Sequence, residues 1–247
     1  MFLMLSLHRL TKRLPGSDTV SFEKSSLEWD SRKISIVTGF PSTFSSGACV
    51  VIAHGAGGPM YSPFITYFHA ELARRGFLTV KFNFPYMEAR KRIPDRKEVL
   101  EESFRRVIEQ VRTGPHKPTS TFLGGKSMGG RIASQAVAGG LESDGLFFLG
   151  YPLHPPGMPA KLRDSHLYQL KVPMLFVSGT RDQFAGKDLL DEVVQKLGSG
   201  ARIHWIEGGN HSLDPGKGKA VLNETYVSII SLLSDWFNEY SKRSAGA

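Results

Sequence analysis

The chain has 247 residues, 40% of them apolar and 22% charged, with 31 Lys and Arg against 23 Asp and Glu for a net charge of +8. That length and balance describe one globular domain able to bury a sizeable core, and they exclude a low-complexity or repeat protein. A single cysteine, Cys49, excludes both a disulfide framework and a cysteine-built metal site.

The N-terminus, MFLMLSLHRLTKRLPG, has an apolar stretch far short of the roughly 20 residues that a spanning helix needs. Its basic residues follow the apolar part, whereas a secretory signal carries them in front. A cytoplasmic protein is therefore expected, with an organelle presequence in the basic start as the alternative. Residues 1–32 are taken as an N-terminal segment with a possible edge strand, and residues 33–247 as a single domain.

From residue 33 onward, apolar runs rich in β-formers alternate with helical patterns. The expected strands cover residues 33–40, 48–55, 77–84, 120–125, 145–152, 173–179 and 201–208. SPFITYFHAELARRG, KEVLEESFRRVIEQVR, SMGGRIASQAVAGG, KDLLDEVVQKLG and KAVLNETYVSIISLLSDWFNEYSKR read as helices. Near-continuous apolar strands alternating with helices predict an α/β protein with a mostly parallel sheet of about seven or eight strands, helices on both faces. Ligands of such sheets bind outside the carboxyl ends of the strands. Cys49 falls inside one of those strands and reads as core.

At one such strand end stands GGKSMGG, residues 124–130. A phosphate-binding P-loop ending in Gly125-Lys126-Ser127 would need glycine where Ser120 stands, and the dinucleotide fingerprint G-x-G-x-x-G is absent. Gly125-Lys126-Ser127-Met128-Gly129 fits G-x-S-x-G, a sharp strand-to-helix turn that presents a serine as nucleophile. A serine hydroxyl is a weak nucleophile and needs a base, which in turn needs an orienting group. Two later strands run into Asp182 and His211, at the same sheet edge as Ser127. His211 is therefore the candidate base and Asp182 the candidate orienting acid. HGAGG, residues 54–58, follows another strand, and backbone N–H groups of Ala56 or Gly57 together with that of Met128 are candidate donors to an oxyanion. His54 is expected to shape this loop rather than to act as base.

Between the expected strands at 145–152 and 173–179, residues 153–172 are too few and too rich in Pro and Gly for a helical cap, so the site is expected to be open. Tyr151 and His154 are candidates for lining its mouth as substrate-binding residues. The basic residues are scattered, and their densest cluster, EARKRIPDRK at 88–97, is interleaved with acids and lacks stacking aromatics. No nucleic-acid partner is expected.

Taken together, HGAGG, GGKSMGG, SGTRDQF and GGNHSL resemble the α/β-hydrolase fold over about residues 33–240. The chain order Ser127, Asp182, His211 is that of its catalytic triad. GGKSMGGR, GYPLHPPGMP and VSGTRDQF more narrowly resemble a small lidless branch. That branch groups dienelactone-hydrolase-like proteins with testis-expressed and histone-acetyltransferase-complex subunit relatives. The resemblance implies an α/β-hydrolase fold without a large cap domain, a Ser127-His211-Asp182 triad and oxyanion donors at Met128 and Ala56. It implies no cofactor and no metal. Dienelactone hydrolases use a cysteine nucleophile, which this chain lacks, so their substrate is not carried over. The expected activity is that of a carboxylesterase-like serine hydrolase cleaving an ester, thioester or similar acyl bond of a small-molecule substrate. A catalytically idle interaction protein and an acyltransferase are the alternatives, and the oligomeric state is left open.

Overall fold

Helices cover both faces of one central sheet in a computed structural model that describes residues 8–10, 20–44 and 46–244. The presequence reading rests mostly on residues outside that range. The elements in chain order are β1 (His8–Leu10), β2 (Ser21–Trp29), β3 (Arg32–Phe40), β4 (Ala48–Ala53), α1 (Pro63–Arg74), β5 (Leu78–Phe82), α2 (Pro85–Glu88) and α3 (Lys97–Thr113). They continue with β6 (Ser120–Lys126), α4 (Met128–Ala138), β7 (Gly145–Leu149), β8 (Met174–Gly179), α5 (Lys187–Leu197), β9 (Ala201–Ile206) and α6 (Lys219–Ser244).

The nine strands lie in the order β1-β2-β3-β5-β4-β6-β7-β8-β9. β5, β4 and β6 through β9 are mutually parallel, while β1, β2 and β3 add an antiparallel flank. Two of the nine, β1 and β2, fall within the N-terminal 32 residues. β2 carries polar residues along its length and pairs with β3 over nine registered positions, from Ser21 opposite Phe40 to Trp29 opposite Arg32.

Side chains of each central strand feed two cores in alternation, as the period of two requires. In β4, Cys49, Val51 and Ala53 point to a core shared with Phe104 and Val107 of α3, Ile132 of α4 and Leu190 of α5. Ala48, Val50 and Ile52 point to the opposite core, with Phe64, Phe68 and Leu72 of α1 and Ile229, Leu233 and Phe237 of α6. Every residue of β4, β5, β7 and β8 is buried, which is why these runs are mainly apolar, Thr79, Lys81 and Ser178 being the polar exceptions. Cys49 is among them, and burial pushes its thiol pKa up.

β4 and β6 are neighbours, with Ala53 opposite Gly125. The helix after β4 covers one face and the helix after β6 the other. The two loops therefore part at the strand ends, and a crevice opens between them. No cap covers it: residues 150–173 between β7 and β8 hold only a one-turn 3-10 helix at Leu167–Gln169. No described helix is long and apolar enough to cross a membrane.

Candidate active site

Ser127 sits between β6 and α4 with φ 51° and ψ −118°, a left-handed conformation that non-glycine residues rarely adopt. Packing on both sides of the turn holds it there. A Cβ at Gly125, whose φ is 149°, would stand 2.1 Å from the Ala53 carbonyl oxygen, and one at Gly129 would stand 2.4 Å from the same atom. Only glycine at both places lets β6 turn into α4 against β4. The Ser127 N–H donates to the Leu149 carbonyl at 3.1 Å and so ties the elbow to β7.

The turn brings together residues far apart in the chain. Ser127 Oγ lies 2.8 Å from His211 Nε2. On the other side of the ring, His211 Nδ1 is 2.8 Å from Asp182 Oδ2 and 3.0 Å from Oδ1. The Asp182 side chain is wholly buried while that of His211 keeps 19% exposure. Asp182 Oδ1 also accepts the Phe184 N–H at 2.9 Å, and the Phe184 ring packs at a tilt of 49° against the imidazole with centroids 4.4 Å apart. The loop carrying His211 is shaped by Asn210, whose Oδ1 accepts from the N–H groups of Ser212 and Asp214. Arg181 clamps the same loop through the carbonyls of Gly208 and Pro215.

The loop after β4 abuts the elbow, since a Cβ at Gly55 would lie 3.4 Å from Ser127 Cβ. His54 is fully buried and spends both ring nitrogens: Nδ1 donates to the Gly55 carbonyl at 2.8 Å, and Nε2 accepts the Phe84 N–H at 3.2 Å. Burial pushes its pKa down to about 4, so it is a neutral strut. The N–H of Met128, at the first position of α4, has no partner within the helix. Neither it nor the Ala56 N–H is used in a backbone hydrogen bond among the described residues. The Gly57 N–H instead faces the buried Tyr86 hydroxyl, which completes no hydrogen bond there. Of the two loop donors expected from sequence, Ala56 is thus the one without a competing neighbour.

The expectation for Tyr151 is corrected. Its ring is packed in the core against Phe148 and Phe176, and its hydroxyl donates to the Arg163 carbonyl at 2.6 Å. A chain rich in Pro and Gly turns inward here, so Tyr151 fills a core position and lines no mouth. His154 is also buried; its N–H donates to the Phe184 carbonyl at 3.1 Å, which braces the ring over His211 from behind.

Three residues beside the site escaped the sequence reading. Phe184 was visible as the aromatic of TRDQF, two residues beyond the acid. Tyr86 and Asn83 belong to FNFPYME, where Asn83 Oδ1 accepts the Met60 N–H at 2.8 Å and Nδ2 donates to Glu88. A cavity of about 330 Å³ lies beside the elbow, lined by Gly55, Ala56, Ser62, Phe64, Lys126 and Ser212 among others. A cavity of about 360 Å³ opens elsewhere, between α3 and β2, β3 and β5; Ser127, His211 and Asp182 line neither cavity, but the smaller one is lined by their chain neighbours Lys126 and Ser212.

A family model described as an alpha/beta hydrolase domain matches residues 46–237. Among solved structures, the chain is similar to a cold-adapted esterase from an Arctic intertidal metagenomic library, with TM-score 0.69 and 17% identity over 93% of this chain and 98% of that one. It is similar to a dienelactone hydrolase from Anabaena variabilis, with TM-score 0.67 and 18% identity over 95% and 98%. It is also similar to an α/β serine hydrolase without a lid from Xanthomonas campestris, with TM-score 0.63 and 16% identity over 93% and 96%. At these identities the likeness is one of fold.

Proposed function

The chain belongs to the alpha/beta hydrolase family, and we propose that it is a serine hydrolase that cleaves an ester, thioester or related acyl bond of a small molecule through an acyl-enzyme. The observation that carries this reading is the unbroken hydrogen-bond chain from Asp182 through His211 to Ser127, closed at a serine held in a strained turn.

In this reading Ser127 Oγ attacks the carbonyl carbon as His211 Nε2 takes its proton. Asp182, bonded to Nδ1, holds the ring in the tautomer that leaves Nε2 free to accept, and stabilises the imidazolium that forms. The carbonyl oxygen becomes an oxyanion, and the N–H groups of Met128 and Ala56 receive it; one such donor typically contributes about 2.7 to 4 kcal/mol of barrier reduction. The imidazolium returns its proton to the leaving group, and the acyl chain stays on Ser127. Water then repeats the sequence, with His211 again as base, and releases the acid. The structural relatives named as esterases and as a serine hydrolase support this reading.

Labelling with a fluorophosphonate tests it. The wild-type chain should be modified at Ser127, and Ser127→Ala should not; an unlabelled wild-type chain that is folded would refute the reading.

A further inference from the structure

Lys126 takes the variable position directly before the nucleophile, and its side chain leaves the elbow toward α1. Nζ donates to the His211 carbonyl at 3.0 Å and to Ser212 Oγ at 3.2 Å, and it lies 4.8 Å from the centroid of the Phe64 ring. Its partners are therefore two neutral oxygens and a ring face. It makes no ion pair among the described residues, and the charge that acts on it is that of Asp182, already engaged by His211. An ammonium removed from water without a carboxylate partner is under-compensated. Burial accordingly pushes Lys126 down to about 8, with Asp182 pulling the other way. Near neutral pH the side chain stays mainly protonated, and an ammonium has three donors, one more than its two acceptors here use.

The cavity of about 330 Å³ beside the elbow is lined by Lys126 together with Gly55 and Ala56 of the loop that abuts Ser127. Ser62, Ser212 and Tyr226 supply the remaining polar edge, and Pro63 and Phe64 an apolar floor. The space beside the nucleophile is thus small and partly apolar, with Lys126 the cationic residue among those that line it.

We propose that this cavity selects esters carrying a short chain that ends in an anion such as a carboxylate, and that Lys126 is the residue that recognises the anion. The inference deepens the serine-hydrolase reading and rests on Ser127 being the nucleophile.

Two fluorophosphonates that differ in one group test it: one has a short chain ending in a carboxylate, the other the same chain ending in the methyl ester. Each is made with the chain joined to phosphorus through carbon, as an acyl chain would be, and through oxygen, as an alcohol would be. The quantity read is the ratio of the labelling rates of Ser127 by the anionic and neutral probes, whatever the absolute rates. The wild-type ratio should favour the anion by roughly 10-fold or more in one of the two attachments, the size of a hydrogen bond to a charged group. Lys126→Met should bring that ratio to about one or below, and Lys126→Arg, which keeps the charge, should restore a preference. A lysine that only ties down the His211 loop would slow both probes equally in Lys126→Met and leave the ratio as it was, which overturns the proposal. A wild-type ratio near one in both attachments overturns it too while leaving the nucleophile standing. Failure of every probe to label Ser127 removes the serine-hydrolase reading and this inference with it.

Discussion

Gly125 packs so closely on Ala53 that an added Cβ would stand 2.1 Å from the Ala53 carbonyl oxygen and 2.7 Å from its nitrogen. Those atoms belong to β4 and cannot yield without breaking the parallel ladder with β6. Gly125→Ala should therefore destabilise by about 1 to 3 kcal/mol from overpacking alone, with further strain from its positive φ. Gly140→Ala is the control, because its φ is 90° but nothing lies within 4 Å. Urea unfolding of both variants gives the comparison, and an equal loss would show that backbone strain rather than the contact with β4 decides.

The three residues joined through His211 should behave as one unit. Ser127→Ala and His211→Ala should each lower kcat by roughly 10⁴ or more, and the double variant should lose little beyond the worse single one. Multiplicative losses would mean that the two act separately.

Chain length of the acyl group is limited by the open crevice. With no helical cap between β7 and β8 and about 330 Å³ beside the elbow, long chains find little surface to bury. In a p-nitrophenyl ester series from two to sixteen carbons, kcat/KM should stop rising at short chains. A gain that persists with every CH₂, each worth about 0.8 kcal/mol when buried, would reveal an apolar tunnel.

Acid should weaken the fold through its buried histidines. Burial pushes His69 down to about 3, and His54 and His166 to about 4, whereas an unfolded histidine titrates near 6.5. The folded pKa values are depressed, so below about pH 6.5 the unfolded chain binds protons that the folded chain refuses. Stability present above that pH is lost as pH falls toward 4, by up to about 1.4 kcal/mol per pH unit for each such proton. His69 is fully buried, with Nε2 on the Val37 carbonyl at 3.1 Å. His69→Gln keeps a donor without a titrating ring, and its stability should fall less steeply from pH 6.5 to 4. Parallel slopes for the two proteins would argue against His69 as a source.

Tyr151→Phe separates the core role of this residue from a binding role. Loss of the hydroxyl leaves the Arg163 carbonyl without its donor, at a cost of about 1 to 3 kcal/mol, while kcat/KM for a small ester should stay within a few-fold. A change confined to KM would return Tyr151 to the binding surface.

The sequence made the parallel part of the sheet legible because β4, β5, β7 and β8 are buried on both faces and so read as mainly apolar runs. The same rule hid β2: SFEKSSLEW has one side on the core and the other near water, and its polarity leaves it only a possible edge strand. Ser127, Asp182 and His211 were found by placement, each lying just past a strand of one direction, and the geometry joins all three. Tyr151 was misjudged because proline and glycine mark where a chain turns but not which side chains the turn tucks inward. Lys126 fills the variable position before the serine in the elbow motif, and its partners come from α1 and the His211 loop, which no local pattern reveals.

Helix α6 is the last described element, and it contributes Ile229, Ile230, Leu233, Trp236 and Phe237 to the core that also holds Phe77, Phe122 and Phe147. A nascent chain emerging from the ribosome can pair its strands and cover the α3 side well before residue 219, yet the aromatic floor on the other side has only α1 to shelter it. Until residues 219–244 leave the exit tunnel, that floor is open to water and to any passing chaperone. A chain cut just before Lys219 would keep every described strand and strand-end loop, mounted on a sheet with one face sheltered by α1 alone.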